Sequence, residues 1–423
     1  MKKTLLSILL VMVLLLPAAC TPSASASVVK SDKPRATATV DQTDLDTLVN
    51  GNSDFAFRFY QAIKGTDGNL FYSPYSISAA LAMTYAGAKG DTEMQMADTL
   101  SFLLPQAQLH PTLNNLDAIL QSRGEGAQGK DGGEFRLNIV NAIWGQKDYE
   151  FLETYLDTLA ENYGAGLRIL DFIKQPEQSR VTINDWVSDQ TEARINDLIP
   201  QGAISDLTRL VLTNAIYFNA AWQNPFEKES THDALFNLLD GSQINVPMMQ
   251  QTESLKYTEV KEYQAVELPY DGNELSMVIL LPQLGDFTRF EDNLHLEQVQ
   301  DIIANLENNQ VNLSLPKFEF DSTFSLKKTL SDMGMPVAFT DDADFSGMNG
   351  NTELQITDVF HKSFVSVDEA GTEAAAATAV IVGLTSMPAT PITVTVDRPF
   401  IFFIRDIDTG AILFVGRVVN PAA

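Results

Sequence analysis

Few residues in this chain are placed to do metal, nucleophilic or phosphate chemistry. His110, His232, His295 and His361 lie far apart, and no pair has metal-ligand spacing. Cys20 is the single cysteine, so no intrachain disulfide can form, and it falls in an N-terminal targeting segment. No G-x-S-x-G elbow occurs. The segment GEGAQGKD, 124–131, matches G-x-G-x-x-G, but Asp131 stands where a phosphate loop places Ser or Thr on magnesium. It also follows a helical pattern instead of a strand, and reads as part of a glycine-rich surface loop. DDADFSG, 341–347, lacks the order of oxygens and the glycine of a calcium loop and reads as a solvated turn. The expectation is a protein with no metal, no cofactor and no catalytic set, and therefore not an enzyme.

A different chemistry is written in VDEAGTEAAAATAVIVGLTSMP, 367–388. Alanine is the best helix former, yet the run 374–377 lies between two strand-like segments, FVSV and AVIV. Thr372, Ala374, Ala376 and Thr378 share one strand parity, and all are small. Glu373 falls on the other parity, with Ala375 and Ala377. Side chains of this kind cost little to expose and little to bury. The fourteen residues 372–385 would span roughly 46 Å as a strand at ~3.3 Å per residue, but only ~21 Å as a helix. Gly371 and the threonines do not suit a helix interior, and the stretch reads as a long, bland, strand-flanked segment rather than a helix.

The elements around it read as helices first and strands later, an α+β pattern. SDFAFRFYQAI has Ser53 as an N-cap and Phe55, Phe59 and Ile63 at helical spacing. SPYSISAALAMTYAGAKG predicts a closely packed, buried helix that begins near Pro74. PTLNNLDAIL and FLETYLDTLAENYG predict two more, the latter stopping at Gly164. RLVLTNAIYFNAAW is apolar on both parities, the mark of a central strand covered on both faces. LSMVILLP, VNLSLPKFEF, ITVTV, PFIFFIRD and AILFVGRVV predict further strands, and there is no internal repeat.

The chain has 423 residues, 45% of them hydrophobic, and a formal net charge of −27. That balance argues against nucleic acid, polyanions and anionic lipid as main partners. Residues 1–20 read as a signal peptide: Lys2 and Lys3 precede the apolar run TLLSILLVMVLLL, which is short for a membrane span. The position of Cys20 resembles the lipidated cysteine of bacterial lipoproteins, although Pro17 sits where that signal usually has Leu. The alternative is signal cleavage near ASAS, 24–27, releasing a soluble product. Both place the protein outside the cytoplasm, extracellular or at the cell surface. Residues 21–43, rich in Ser, Ala, Thr and Pro, read as a disordered tether. The globular body is 44–423.

VFHKSFVSVDEAGTEAAAAT, 359–378, resembles the hinge of the serpins, the serine protease inhibitor family. NLFYSPYSISAALAMTYAGAKGDTEMQM, LTNAIYFNAAWQNPF, LPKFEF, ADFSGM, DRPFIFFIRD and LFVGRVVNP resemble further segments of that family in its order. The resemblance covers the whole body, about 45–423. It implies a single serpin domain: helices with three β-sheets and an exposed reactive-centre loop. It also implies a mechanism in which a protease cuts the loop and forms an acyl-enzyme. The loop then inserts as a new central strand of sheet A and distorts the trapped protease. The hinge would be Glu369, Gly371, Thr372, Glu373, Ala374, Ala375, Ala376, Ala377 and Thr378, with the Thr372 parity turned inward.

By the same resemblance, Ser73, Ser76, Asn214 and His361 match a polar cluster that holds the sheet shut. Lys317, Glu369 and Trp222 match the site where insertion begins. Taken alone, His361 and Trp222 read as core residues. The family's usual count from Glu369 puts the scissile bond between Thr385 and Ser386. The bonds after Leu384 and Met387 are alternatives, since Pro388 and Pro391 leave the register open by about two residues. Thr385 suits a small or aliphatic pocket, hence an elastase-like or subtilisin-like serine protease held in a covalent complex by a monomeric inhibitor. Competing readings are a non-inhibitory serpin-fold binding protein, an inhibitor of a cysteine protease, and a solute-capturing lipoprotein. The last has only Cys20 and the tether in its favour.

Overall fold

The computed structural model describes residues 26–130, 132–372 and 390–423. The leader with Cys20, the loop positions Glu373 through Thr378, and the bond between Thr385 and Ser386 lie outside the described residues.

Two hydrogen-bonded sheets and a set of surrounding helices enclose one large apolar core and one small one. The first sheet has seven strands, in the order Ser27–Val29, Leu167–Leu170, Arg136–Gln146, Leu210–Ala221, Gly371–Thr372, Ile356–Val367 and Phe318–Ser325. The second has nine. Three sheets were expected. Among the described residues two are found, because the 17-residue strand Gln243–Glu259 carries one unbroken ladder. Its early residues pair with His232–Asn237 and its last ones with Tyr263–Pro269.

Strand 210–221 is buried along nearly its whole length. Leu210, Leu212, Ile216 and Phe218 face the large core; Val211 and Ala215 face the small one, under the helix Pro176–Gln190. This is the two-sided burial that its unbroken apolar pattern demands. The helix Pro74–Tyr85 is buried at every position. Ser73 caps it, its Oγ accepting from the Ser76 amide at 3.1 Å, with Pro74 in the first turn where its missing N–H costs nothing.

Two expectations need correction. The first helix runs Gln42–Ile63, with Asp41 as its N-cap residue, and Ser53 is buried in its interior. Leu45, Leu48, Val49 and Asn52 extend the buried stripe of Phe55, Phe59 and Ile63 by more than two turns. Gly51 survives mid-helix because a Cβ there would lie 2.3 Å from the Ser101 carbonyl oxygen. Second, from Ala26 the segment expected to be a tether is packed on the body. Ser27–Val29 pairs antiparallel with Leu167–Leu170 as an edge strand. Arg35 donates to Asn114 Oδ1 at 2.7 Å and to Asp117 Oδ2 at 2.5 Å. A composition poor in large apolar groups is here offset by edge pairing and charged contacts.

Candidate functional site

The site is the seam between strand 210–221 and strand 356–367. Over one half the two pair directly and in parallel, Leu210 through Ile216 against Ile356 through Ser363. Over the other half the two-residue strand Gly371–Thr372 lies between them, antiparallel to both. Gly371 sits opposite Ala221, Thr372 opposite Ala220 on one side and opposite Val367 on the other. The seam is therefore closed at one end and wedged open at the other. Gly371 is required by closeness: a Cβ there would lie 2.2 Å from the Ala220 carbonyl oxygen.

The closed half is held by a polar row across the sheet. Asn141 of strand 136–146, Asn214 and His361 occupy matched register positions on three neighbouring strands. His361 Nε2 accepts from the Ser73 amide at 3.2 Å. Its Nδ1 therefore carries the proton and donates to Asn214 Oδ1. The Asn214 amide nitrogen donates in turn to Ser76 Oγ and Asn141 Oδ1. Burial pushes the His361 imidazole down to about 3, only partly opposed by its contact with Asn214, so the ring is neutral. The cluster expected at Ser73, Ser76, Asn214 and His361 is thus brought together. The sequence reading missed its fifth member, Asn141, whose signal was an asparagine inside the otherwise apolar run IVNAIW.

The open half is held by the turn at 368–371. Its ends pair through the Asp368 amide and the Gly371 carbonyl at 3.0 Å, and Asp368 Oδ1 accepts from the Ala370 amide at 2.9 Å. Trp222 clamps it twice: its indole N–H donates to the Asp368 carbonyl at 3.0 Å and its backbone amide to the Ala370 carbonyl at 2.9 Å. Glu369 is bound by Lys317 Nζ at 2.7 Å and Thr231 Oγ1 at 2.8 Å. Burial would raise this carboxyl, but those two donors hold it below its ordinary value. Thr372, 2% exposed, turns inward and shares a 2.8 Å hydrogen bond with the buried Tyr270 hydroxyl. Tyr270 stacks on Trp222, with centroids 4.7 Å apart. Lys317, Glu369 and Trp222 all lie at this turn, Lys317 on the Glu369 carboxylate and Trp222 on the Asp368 carbonyl. Thr231 and Tyr270 were not foreseen, because nothing local marks them.

The remaining candidates for chemistry disperse. His110 is buried against Tyr163, its Nδ1 2.7 Å from the phenol oxygen, and burial lowers it to about 4. His232 is exposed. Among the described residues no three His, Cys, Asp or Glu side chains gather as a metal site. The glycine-rich loop is not a plain surface loop. Lys130, the lysine of the near-phosphate-loop, is 1% exposed, and its ammonium contacts Ser366 and Asp368.

The seam between the two strands is thus closed by a polar row along one half and parted by the strand Gly371–Thr372 along the other. Residues 50–421 match the family model described as Serpin (serine protease inhibitor). The chain is 41% identical over 376 residues to an uncharacterized serpin-like protein of Thermococcus kodakarensis, covering 88% of this chain and 86% of the relative. It is 38% identical over 390 residues to the leukocyte elastase inhibitor of Homo sapiens, covering 89% and 100%. Among solved structures it resembles the thermophilic serpin tengpin in its native state, with a TM-score of 0.82 and 30% identity, covering 94% of this chain and all of that one. The chain belongs to the serpin family and has the serpin fold. Serpins are in general serine protease inhibitors and not enzymes.

Proposed function

We propose that this protein is an exported suicide inhibitor of serine proteases. A target cleaves the loop near Thr385 and Ser386, is held as an acyl-enzyme, and is carried away as residues from Thr372 onward enter the seam. The observation that carries this reading is the strand Gly371–Thr372 already lodged between strands 210–221 and 356–367. Its Thr372 faces inward, which supports an inward parity for Ala374, Ala376 and Thr378. A long neutral segment with only Glu373 on the other parity can follow it without burying a charge. The target class is elastase-like or subtilisin-like. Thr385 fits a small pocket, and the human relative is named for inhibiting leukocyte elastase. Cys20 is the proposed lipid anchor, with the body acting as a monomer at the cell surface.

Residues 26–423 are incubated with pancreatic-type elastase and with subtilisin. The expected product is a species at the sum of the two masses that survives denaturation, with release of a C-terminal peptide starting at Ser386. Cleavage with no such species would favour the non-inhibitory alternative.

A further inference from the structure

The glycine-rich loop places one buried cation across the seam. The loop is pinned to the body on several sides. Arg123 Nε donates to Asp406 at 2.6 Å, the Gly124 amide to Glu274 at 2.7 Å, and the Gln128 amide to Asp271 at 2.9 Å. The Gln128 carbonyl accepts from the Ala221 amide at 3.0 Å. A tight turn follows, with the Gly129 amide on the Gly133 carbonyl at 2.9 Å and Gly132 at φ 75°. Lys130 stands at its tip.

From there Lys130 bridges the two seam strands. Its backbone amide donates to Asn219 Oδ1, on strand 210–221, at 2.6 Å. Its ammonium donates to the Ser366 carbonyl, on strand 356–367, at 3.1 Å, and lies 3.2 Å from Asp368 Oδ2. Asn219 and Ser366 have the parity opposite to Asn214 and His361, so Lys130 crosses the face away from the polar row. The register gives the Ser366 carbonyl a particular meaning. Asp368 and Gly371 form a hydrogen-bonded pair, and Val367 lies opposite Thr372. Hydrogen-bonded pairs alternate along an antiparallel ladder, so Ser366 is the next residue of strand 356–367 whose carbonyl opens into the seam. An entering strand must use that acceptor after Thr372.

We infer that Lys130 is a positioning residue that resists strand entry: tied to Asn219 through its backbone amide and to Ser366 through its ammonium, it spans the seam and holds the first carbonyl the entering strand needs. Lys130 must release Ser366 before the ladder extends, and Asp368 keeps its charge neutralised in the closed form. The inference rests on the reading of the seam as a strand-accepting site. It assigns to the glycine-rich loop a control over the rate of entry, distinct from the polar row that closes the other half.

The test adds a synthetic peptide of sequence TEAAAATAVIVGLT, residues 372–385, to the intact protein and follows its uptake by native gel and Trp fluorescence. Lys130→Met keeps the length and removes the charged donor. Uptake is expected to be ~10-fold faster than in the unsubstituted protein, about the worth of one charge-assisted hydrogen bond. Asp368→Asn, which leaves the Lys130 backbone contacts in place, is expected to accelerate uptake in the same direction and serves if Lys130→Met does not fold. Peptide uptake at an unchanged or slower rate in the variants, with only a lowered melting point, would make Lys130 a structural pin and overturn the inference alone. Failure of the unsubstituted protein to take up the peptide would overturn the strand-accepting reading, and this inference with it.

Discussion

His361 sits in an unusual position for an ionisable group: fully buried, on the seam itself, with both ring nitrogens engaged. The sign of its pH effect follows from its depressed value. In the folded chain it titrates at about 3, in the unfolded chain near 6.5. Between those values the unfolded chain binds a proton that the folded chain refuses, so stability is full above about 6.5 and falls as pH drops toward 3. His110, lowered to about 4, adds a second proton with the same sign. Replacing His361 by Gln is therefore expected to remove about one of two protons from the pH dependence of the urea midpoint between pH 6 and 5. An unchanged slope would show that His361 is not the seam's titrating group. His361→Ala leaves the Ser73 amide and Asn214 Oδ1 without their His361 partner, a loss of roughly 2–6 kcal/mol at ~1–3 kcal/mol for each orphaned group. It is expected to speed spontaneous loss of the closed form, read as inhibitory activity against time. The identities of Ser73, Ser76, Asn214 and His361 were legible in the sequence only through family resemblance. Asn141 required the register that sets three strands side by side.

At the scale of the element, the strand Gly371–Thr372 does what its side chains permit. A small residue at Thr372 can turn into the core and reach Tyr270; a charged one cannot do so without unpaired burial. Thr372→Arg is expected to leave cleavage of the loop intact while abolishing the denaturation-resistant complex, scored on the same gel. A complex formed at undiminished yield would show that entry does not begin with this residue facing inward. The buried helix Pro74–Tyr85 and strand 210–221 were legible because their patterns have one physical reading: small residues throughout, or apolar residues on both parities. The first helix was read too short because Ser53 is a good cap by type, while the stripe continuing back to Leu45 decides the matter. The tether was misread because flexibility was judged from composition. Ser27–Val29 gains its order as an edge strand on a partner that begins 138 residues after Val29, which no local window contains.

At the scale of the whole molecule, the proposed function requires that one chain have two arrangements, the second lower in free energy and reached only after cleavage. In the first, the polar row closes the sheet beyond Gly371–Thr372; in the second, the loop would be the sheet's new central strand. The family and its architecture were legible from ordered motifs spread over the body. The joining of two expected sheets into one was not, because it depends on the single long strand 243–259, which pairs with 232–237 at its start and 263–269 at its end. The most direct test of strand acceptance needs no knowledge of the natural target. The loop is nicked by a protease that escapes trapping, and the melting temperature of the nicked protein is compared with that of the intact one. The nicked protein is expected to melt at a markedly higher temperature, because the freed segment completes the sheet. An equal or lower melting temperature would contradict the insertion on which the proposed function depends.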